Sequence, residues 1–268
     1  MIWIVIAFLT ICLIFVLLIR GRAGHPGLKN LQGWAYAHRG LHGPGVPENS
    51  MAAFRAAVDN GYGAELDVHL LRDGGLAVIH DSKLVRTTGA QGRVEELTRQ
   101  QLKLYRLEGT EETIPQFSQV LKLFEGKAPL IIEVKVEHNT AAVCEAVAKA
   151  LDGYKGVYCV ESFHPQAVAW FRKNRPDVIR GQLTENYFAS PDSPLPGIVK
   201  FILTHQMLNF FTKPDFVAYR FRDRKTISNT IAQKLWKMQG VTWTLRSKEQ
   251  FDEAVADGWL PIFEGFEP

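Results

Sequence analysis

Four short stretches put ionisable side chains where a buried strand would carry apolar ones. The sequence Gly63–Leu70, GAELDVHL, alternates so that Glu65, Asp67 and His69 share one face and Leu66, Val68 and Leu70 the other. Two carboxylates on one face repel unless a cation lies between them. Pro129–His138, PLIIEVKVEH, adds Glu133 and Lys135 after a long apolar run. Three carboxylates converging from strand ends suit one hard divalent cation, Ca2+ or Mg2+, completed by water or phosphate oxygens. The plain alternative is a strand with one solvated face, which fits poorly if helices cover the sheet on both sides. His38-Arg39 and His80-Asp81 each end an apolar run beside a charge. Imidazoles titrate near neutrality and serve as general acid and base. With Arg39 and Lys135 as further cations, the set fits a phosphate, and the histidine pair fits proton transfer to and from oxygens on opposite sides of phosphorus.

The elements that position these residues follow from periodicity. Apolar strand-like runs lie near 34–38, 63–69, 130–136, 157–162, 178–183, 215–220, 240–245 and 260–264, with helical patterns near 50–60, 116–125, 140–151, 164–174, 226–239 and 247–257. Strand–helix alternation predicts parallel strands with crossover helices, and about eight strands predict an α/β fold of the (β/α)8 TIM-barrel type. A doubly wound open sheet shares the same periodicity. The polar stretch 82–115 reads as a small insertion after the second strand. The barrel domain is thus expected over 34–268.

Before it, Ile2–Ile19 is uncharged. Its 18 residues would span roughly 27 Å as a helix, near the hydrocarbon thickness of a bilayer, so residues 1–19 are expected to be a transmembrane anchor. Residues 20–33, RGRAGHPGLKNLQG, read as a juxtamembrane linker. Arg20, Arg22 and Lys29 follow the apolar run, and the positive-inside rule predicts a single-pass cell-membrane protein with its catalytic domain in the cytoplasm. The net charge of +3, without a basic run, gives no indication of nucleic-acid binding. Cys12, Cys144 and Cys159 are too few and irregular for a disulfide framework.

His38-Arg39-Gly40, Pro47-Glu48-Asn49-Ser50, Glu65-Leu66-Asp67-Val68, Asp73-Gly74, His80-Asp81 and Ile132-Glu133-Val134-Lys135 occur in the order of the glycerophosphodiester phosphodiesterase signature. The chain resembles that family, as a membrane-anchored bacterial-type member, over roughly residues 34–268. The resemblance implies a (β/α)8 barrel and metal-dependent hydrolysis of glycerophosphodiesters to an alcohol and glycerol 3-phosphate. It implies that His38 and His80 are the acid/base pair, that Glu65, Asp67 and Glu133 are ligands of one divalent cation, and that Arg39 and Lys135 contact phosphate. It further implies that Trp243 lines the glycerol pocket and that Glu48 supports the site. A lysophospholipid is the other expected substrate class. Lysophospholipase D or phospholipase C-like chemistry is the enzymatic alternative, and a membrane-tethered phosphodiester-binding scaffold the non-enzymatic one. The end of the chain, Leu260–Pro268, departs from the family's Gly-x-x-Thr-Asp-x-Pro-like ending, which puts the last strand's part in the site in question. The apolar stretch Pro196–Phe211 is expected either to pack as a barrel helix or to present a lipid-facing patch.

Overall fold

The computed structural model describes residues 1–190 and 194–268. In chain order the elements are α1 (Ile2–Leu18), β1 (Tyr36–His38), α2 (Met51–Asp59), β2 (Gly63–Leu70), β3 (Leu76–Val78), α3 (Val85–Thr88), α4 (Phe117–Phe124), β4 (Leu130–Val134), α5 (Thr140–Ala150) and β5 (Tyr158–Ser162). They continue with α6 (Pro165–Asn174), β6 (Arg180–Thr184), α7 (Gly197–Thr204), α8 (Asn209–Thr212), β7 (Phe216–Arg220), α9 (Ile227–Thr230), β8 (Gln239–Leu245), α10 (Lys248–Ala256) and β9 (Trp259–Phe263). Strands β1, β2 and β4 to β9 pair in parallel, and β1 closes the ring by pairing both β2 and β9. This is the expected TIM-type barrel of eight parallel strands. Closure excludes the open sheet. The short β3, absent from the sequence reading, pairs antiparallel with β2 across the Asp73-Gly74 turn.

The alternation of each strand divides the core. Ala37, Leu66, Val68, Leu130, Ile132 and Val217 face the helices, while Tyr36, Ile131, Cys159, Phe216, Val241 and Ile262 fill the barrel interior. The stretch 82–115 encloses its own small core of Leu84, Val94, Leu97, Leu102 and Leu107 against Leu71 and Ile79. His69 ties β2 to it, with Nδ1 2.7 Å from Glu95 and Nε2 3.1 Å from the His80 carbonyl.

The N-terminal expectation is corrected. The helix is 17 residues, Ile2–Leu18, and among the described residues no helix is long and apolar enough to cross a membrane. Its carboxyl end is occupied with the barrel. Trp236 Nε1 donates to the Val16 carbonyl at 2.9 Å, Phe15 stacks edge-on to His205, and Ile19 is fully buried. The transmembrane anchor, the membrane contact through that helix and the single-pass location with a cytoplasmic catalytic domain fall with it. The stretch after this helix is also docked. Arg22 pairs with Asp215, Pro26–Asn30 forms a 3-10 turn, and the Leu31 carbonyl accepts from buried Tyr36. In the stretch 196–211, Gln206 takes a left-handed φ of 57° between α7 and α8. Thr204, Gln206 and Asn209 face inward, and Ile198, Phe201, Phe210 and Phe211 are exposed.

Candidate active site

The site forms at the carboxyl ends of the strands, where a (β/α)8 barrel leaves its loops free. Register sets the depth of each acid. His38 lies beside Glu65, Asp67 beside Glu133, and Glu133 beside Glu161. Inward-facing positions on adjacent parallel strands therefore stack carboxylates in two neighbouring levels. Glu65, Asp67 and Glu133 are 3%, 1% and 6% exposed, and each offers an oxygen within 4.8 Å of the other two.

The turn after β1 holds this cluster. Arg39, Gly40 and Asn49 all have positive φ. Gly40 is required, because a Cβ there would meet Ala53 at 2.9 Å as α2 passes. The turn aims the Arg39 backbone N–H at Glu65 Oε2 (3.2 Å) and the Asn49 amide at Asp67 Oδ2 (2.9 Å). Ser50 then caps α2 by accepting from Ala53 N.

Lys135 Nζ lies 2.9 Å from Asp67 Oδ1 and 2.8 Å from Glu133 Oε1, and Arg39 Nε 3.6 Å from Asp67. Burial opposes ionisation of all these acids. For Asp67 it is outweighed by Lys135, His80 and Arg39, which hold that carboxyl well below its usual range. Burial and then Asp67, Glu133 and Glu161 push Glu65 well up. Burial likewise pushes Glu133 up against the pull of Lys135, and raises Glu161, where Glu133 adds to it. Two basic groups do not balance four buried acids. All-oxygen donors with residual negative charge fit a hard divalent cation, so the three acids suit the expected cation without distinguishing Ca2+ from Mg2+.

Both histidines are oriented by carboxylates. His38 Nδ1 is 2.5 Å from Glu264 Oε2, and His80 Nδ1 is 2.6 Å from Asp81 Oδ1. Glu264 is braced by Arg246 at 2.6 Å and Asp81 by Arg86. Burial lowers both imidazoles; for His38 it outweighs the Glu264 hydrogen bond, and for His80 it outweighs the Asp67 charge. His38 also counters burial at Glu264, whose carboxyl falls to about 2. A carboxylate beside Nδ1 favours the ring form that carries a proton on that nitrogen and donates it. Nε2 is left as the free nitrogen, and His38 Nε2 stands 3.9 Å from Glu65.

The structure brings His38, Arg39, Glu65, His80, Glu133 and Trp243 to one recess, joined by Glu161 and Phe163. Asp67 and Lys135 do not line this recess; Lys135 lines a separate cavity with His69 and Glu95 and reaches Glu133 and Asp67 from there. Trp243 meets Phe163 edge-on at 5.7 Å, and its indole N–H is buried with no partner among the described residues. Glu48 sits one step removed. Its carboxylate bridges Arg39 (3.0 Å) and Arg86 (2.7 Å), so it fixes cations rather than facing the recess. Glu264 is the residue sequence reasoning missed. Its only signal is a carboxylate directly after the apolar run of β9, in the segment that departs from the family ending.

Residues 38–262 match the glycerophosphoryl diester phosphodiesterase family. The chain belongs to that family. It is accordingly a phosphoric diester hydrolase, and the scaffold alternative is set aside. A glycerophosphodiester phosphodiesterase of Bacillus altitudinis is 35% identical over 176 residues, covering 61% of this chain and 71% of that one. A lysophospholipase D of Rattus norvegicus is 33% identical over 132 residues, 44% of this chain and 41% of that one. Among solved structures, a phosphodiesterase of Oleispira antarctica in complex with sn-glycerol-3-phosphate superposes with a TM-score of 0.73 at 20% identity, covering 91% of this chain and 95% of that one. At that identity the superposition speaks for the shared fold alone.

Proposed function

We infer that this chain hydrolyses glycerophosphodiesters to an alcohol and glycerol 3-phosphate, with His38 and His80 as the acid/base pair and Glu65, Asp67 and Glu133 holding one divalent cation. The observation that carries the reading is the pair of imidazoles, each pinned through Nδ1 by its own carboxylate, beside three buried acids that share one centre. A divalent cation held there supplies Lewis-acid charge to the phosphoryl oxygens. The backbone N–H of Arg39 and the Asn49 amide keep Glu65 and Asp67 in place, so the acids need not reorganise when substrate enters. Arg39 and Lys135 place further positive charge next to the phosphate. One imidazole accepts the nucleophile's proton at Nε2. The other, protonated, gives its Nε2 proton to the departing alcohol oxygen. Trp243 and Phe163 wall the recess with aromatic surface, which suits the carbon skeleton of a glycerol, and the buried indole N–H is free to meet a hydroxyl. That the Bacillus altitudinis relative is a glycerophosphodiester phosphodiesterase supports this choice of substrate.

The second reading is lysophospholipase D activity, favoured by the similarity to the rat enzyme of that name. Product analysis on glycerophosphocholine and on lysophosphatidylcholine decides between them. Chelator should abolish turnover and added Ca2+ or Mg2+ restore it. Glycerol 3-phosphate from the first substrate is the expected result. Lysophosphatidic acid from the second with no turnover of the first would replace it by the alternative, and cleavage undiminished by chelator would refute the cation's role.

A further inference from the structure

At the amino end of the barrel, opposite the site just described, the chain collects cations. Arg20, Arg22, Arg172, Arg180, Lys213 and Lys237 line one open recess of about 760 Å³, walled on one side by Trp236. Asp215 neutralises one of them, Arg22, through Nε–Oδ1 at 2.6 Å and Nη2–Oδ2 at 2.7 Å. Among the described residues, the other five have no carboxylate within ion-pair distance. They are held instead by neutral groups. Lys213 Nζ donates to the Arg20 carbonyl at 3.1 Å, Arg172 donates to the Phe211 carbonyl, and the Arg20 guanidinium lies 4.9 Å from the centre of the Trp236 ring.

Arg180, the first residue of β6, decides what this collection is for. It is 2% exposed; among the described residues its Nη1 has no hydrogen-bond partner, and its side chain makes one long hydrogen bond, 3.5 Å from Nε to the Thr212 carbonyl. A guanidinium taken out of water is costly unless an anion compensates it. Here the nearest carboxylate, Asp215, spends its side chain on Arg22 and on the Arg180 backbone N–H. Burial, then Arg22 and Arg172, lower the Arg180 guanidinium to about 10 against the pull of Asp215. The recess is also rigid. A Cβ at Gly21 would meet the Pro214 carbonyl oxygen at 2.4 Å and Met238 at 2.5 Å, and Arg22 N donates to that same carbonyl at 2.8 Å. The irregular stretch carrying Arg20 and Arg22 is thereby clamped onto the loops that carry Lys213 and Lys237.

The geometry points to a second phosphate-binding site, built by Arg180, Arg172, Arg20 and Lys213 on the barrel's amino end and separate from the hydrolytic centre. A phosphate group is the ligand these donors fit. Guanidinium forks bind its oxygens in pairs, and a doubly charged anion offsets the five unpaired cations better than a carboxylate would. The phosphate can be free in solution or the headgroup of an anionic lipid.

The test uses the full chain, with wild type, Arg172→Gln/Lys213→Gln and Arg180→Met compared in chelator. One arm titrates inorganic phosphate by calorimetry. The other measures flotation with phosphatidylcholine vesicles, with and without phosphatidic acid, taking only the increment due to phosphatidic acid. Removing two charged donors should weaken the responding probe by about tenfold or more. Hydrolysis of soluble glycerophosphocholine, measured with cation restored, should stay within about twofold, because none of the altered residues lies near the catalytic recess. A response to inorganic phosphate assigns a soluble phosphate, and a response to phosphatidic acid alone assigns a lipid headgroup. If neither probe binds, or both bind the surface double variant as tightly as wild type, the site does not exist. That double variant changes one exposed and one half-buried side chain, so the test stands even if Arg180→Met does not fold.

Discussion

Glu264→Gln separates orientation from catalysis. The substitution keeps the shape of the side chain and removes the charge that accepts His38 Nδ1–H at 2.5 Å. Hydrogen bonds to charged groups contribute about 1.5–3 kcal/mol, and this one matters most when the ring is an imidazolium, so kcat should fall by about 10- to 150-fold. Glu264 does not line the recess, so KM should change by less than about threefold. The sign of the pH effect follows from the groups around the ring. Burial and Arg39 lower His38 while Glu264 raises it, with Asp67 adding to Glu264. Loss of the Glu264 charge therefore moves the limb that reports His38 to lower pH, whichever proton it handles. Stability gives an independent reading. The Glu264 carboxyl is depressed to about 2, so its contribution is present above the ordinary carboxylate range and lost as pH falls towards 2. The variant should lose that part of the acid sensitivity of its Tm. Steady-state kinetics across pH on glycerophosphocholine, alongside thermal melts, make the comparison. A variant with unchanged kcat and an unshifted limb would refute the view that Glu264 orients His38.

Asp81→Asn should act on His80 in the same way but less, by about tenfold or under in kcat, because the His80–Asp81 pair is about twice as exposed as His38–Glu264; a larger loss than in Glu264→Gln would contradict the ranking. Glu65→Gln and Glu133→Gln should each abolish divalent-ion binding measured by calorimetry while leaving the fold intact by circular dichroism, since each removes one of three oxygens within 4.8 Å. In chelator, Glu65 and Glu161 have folded-state values raised above the unfolded ones, so the stability they contribute is present at low pH and lost as pH rises above the carboxylate range. Added cation should reverse that loss, and melts at pH 5 and pH 8 with and without Ca2+ would expose its absence. Gly40→Ala forces a side chain into φ 80° and 2.9 Å from Ala53, so it should cost about 2–4 kcal/mol in a denaturant titration.

What could be read before folding, and what could not, divides by sequence distance. Strands buried on both faces carry near-continuous apolar runs, and the alternation within Gly63–Leu70 and Leu130–Val134 already sorted inward acids from outward aliphatics. The register that sets Glu65, Asp67 and Glu133 around one point was not in either run, but any parallel pairing of inward faces brings them near. β3 escaped notice because three residues, Leu76–Val78, give too short an alternation to be told from a loop. Glu264 lies 226 residues from His38, and barrel closure alone joins them. The N-terminal run misled for the same reason. Hydropathy sees Ile2–Ile19 as a free span, whereas its end is held by Trp236, 220 residues away, and the Gly-rich stretch after it by Asp215, 193 residues from Arg22.

The two ends of the barrel show why a net charge of +3 says so little about this molecule. Parallel strands all start at one end of the barrel and finish at the other, so the inward acids of β2, β4 and β5 gather at one mouth, while Arg180 at the start of β6 and Lys213 just before β7 gather at the opposite end. At the mouth, Glu65, Asp67, Glu133 and Glu161 outnumber Arg39 and Lys135, and the surplus negative charge suits a dication. At the opposite end, five cations are left after Arg22 has taken Asp215, and the surplus suits a phosphate. At the mouth the imbalance is buried, where screening is weak and a compensating ion binds with most effect; at the opposite end Arg180 is buried and Lys213 half-buried, while Arg20, Arg172 and Lys237 are exposed. The two surpluses have opposite signs, so the net charge records neither. Strand direction thus turns an unremarkable composition into a polar axis, with a cation-seeking end that does chemistry and an anion-seeking end that binds.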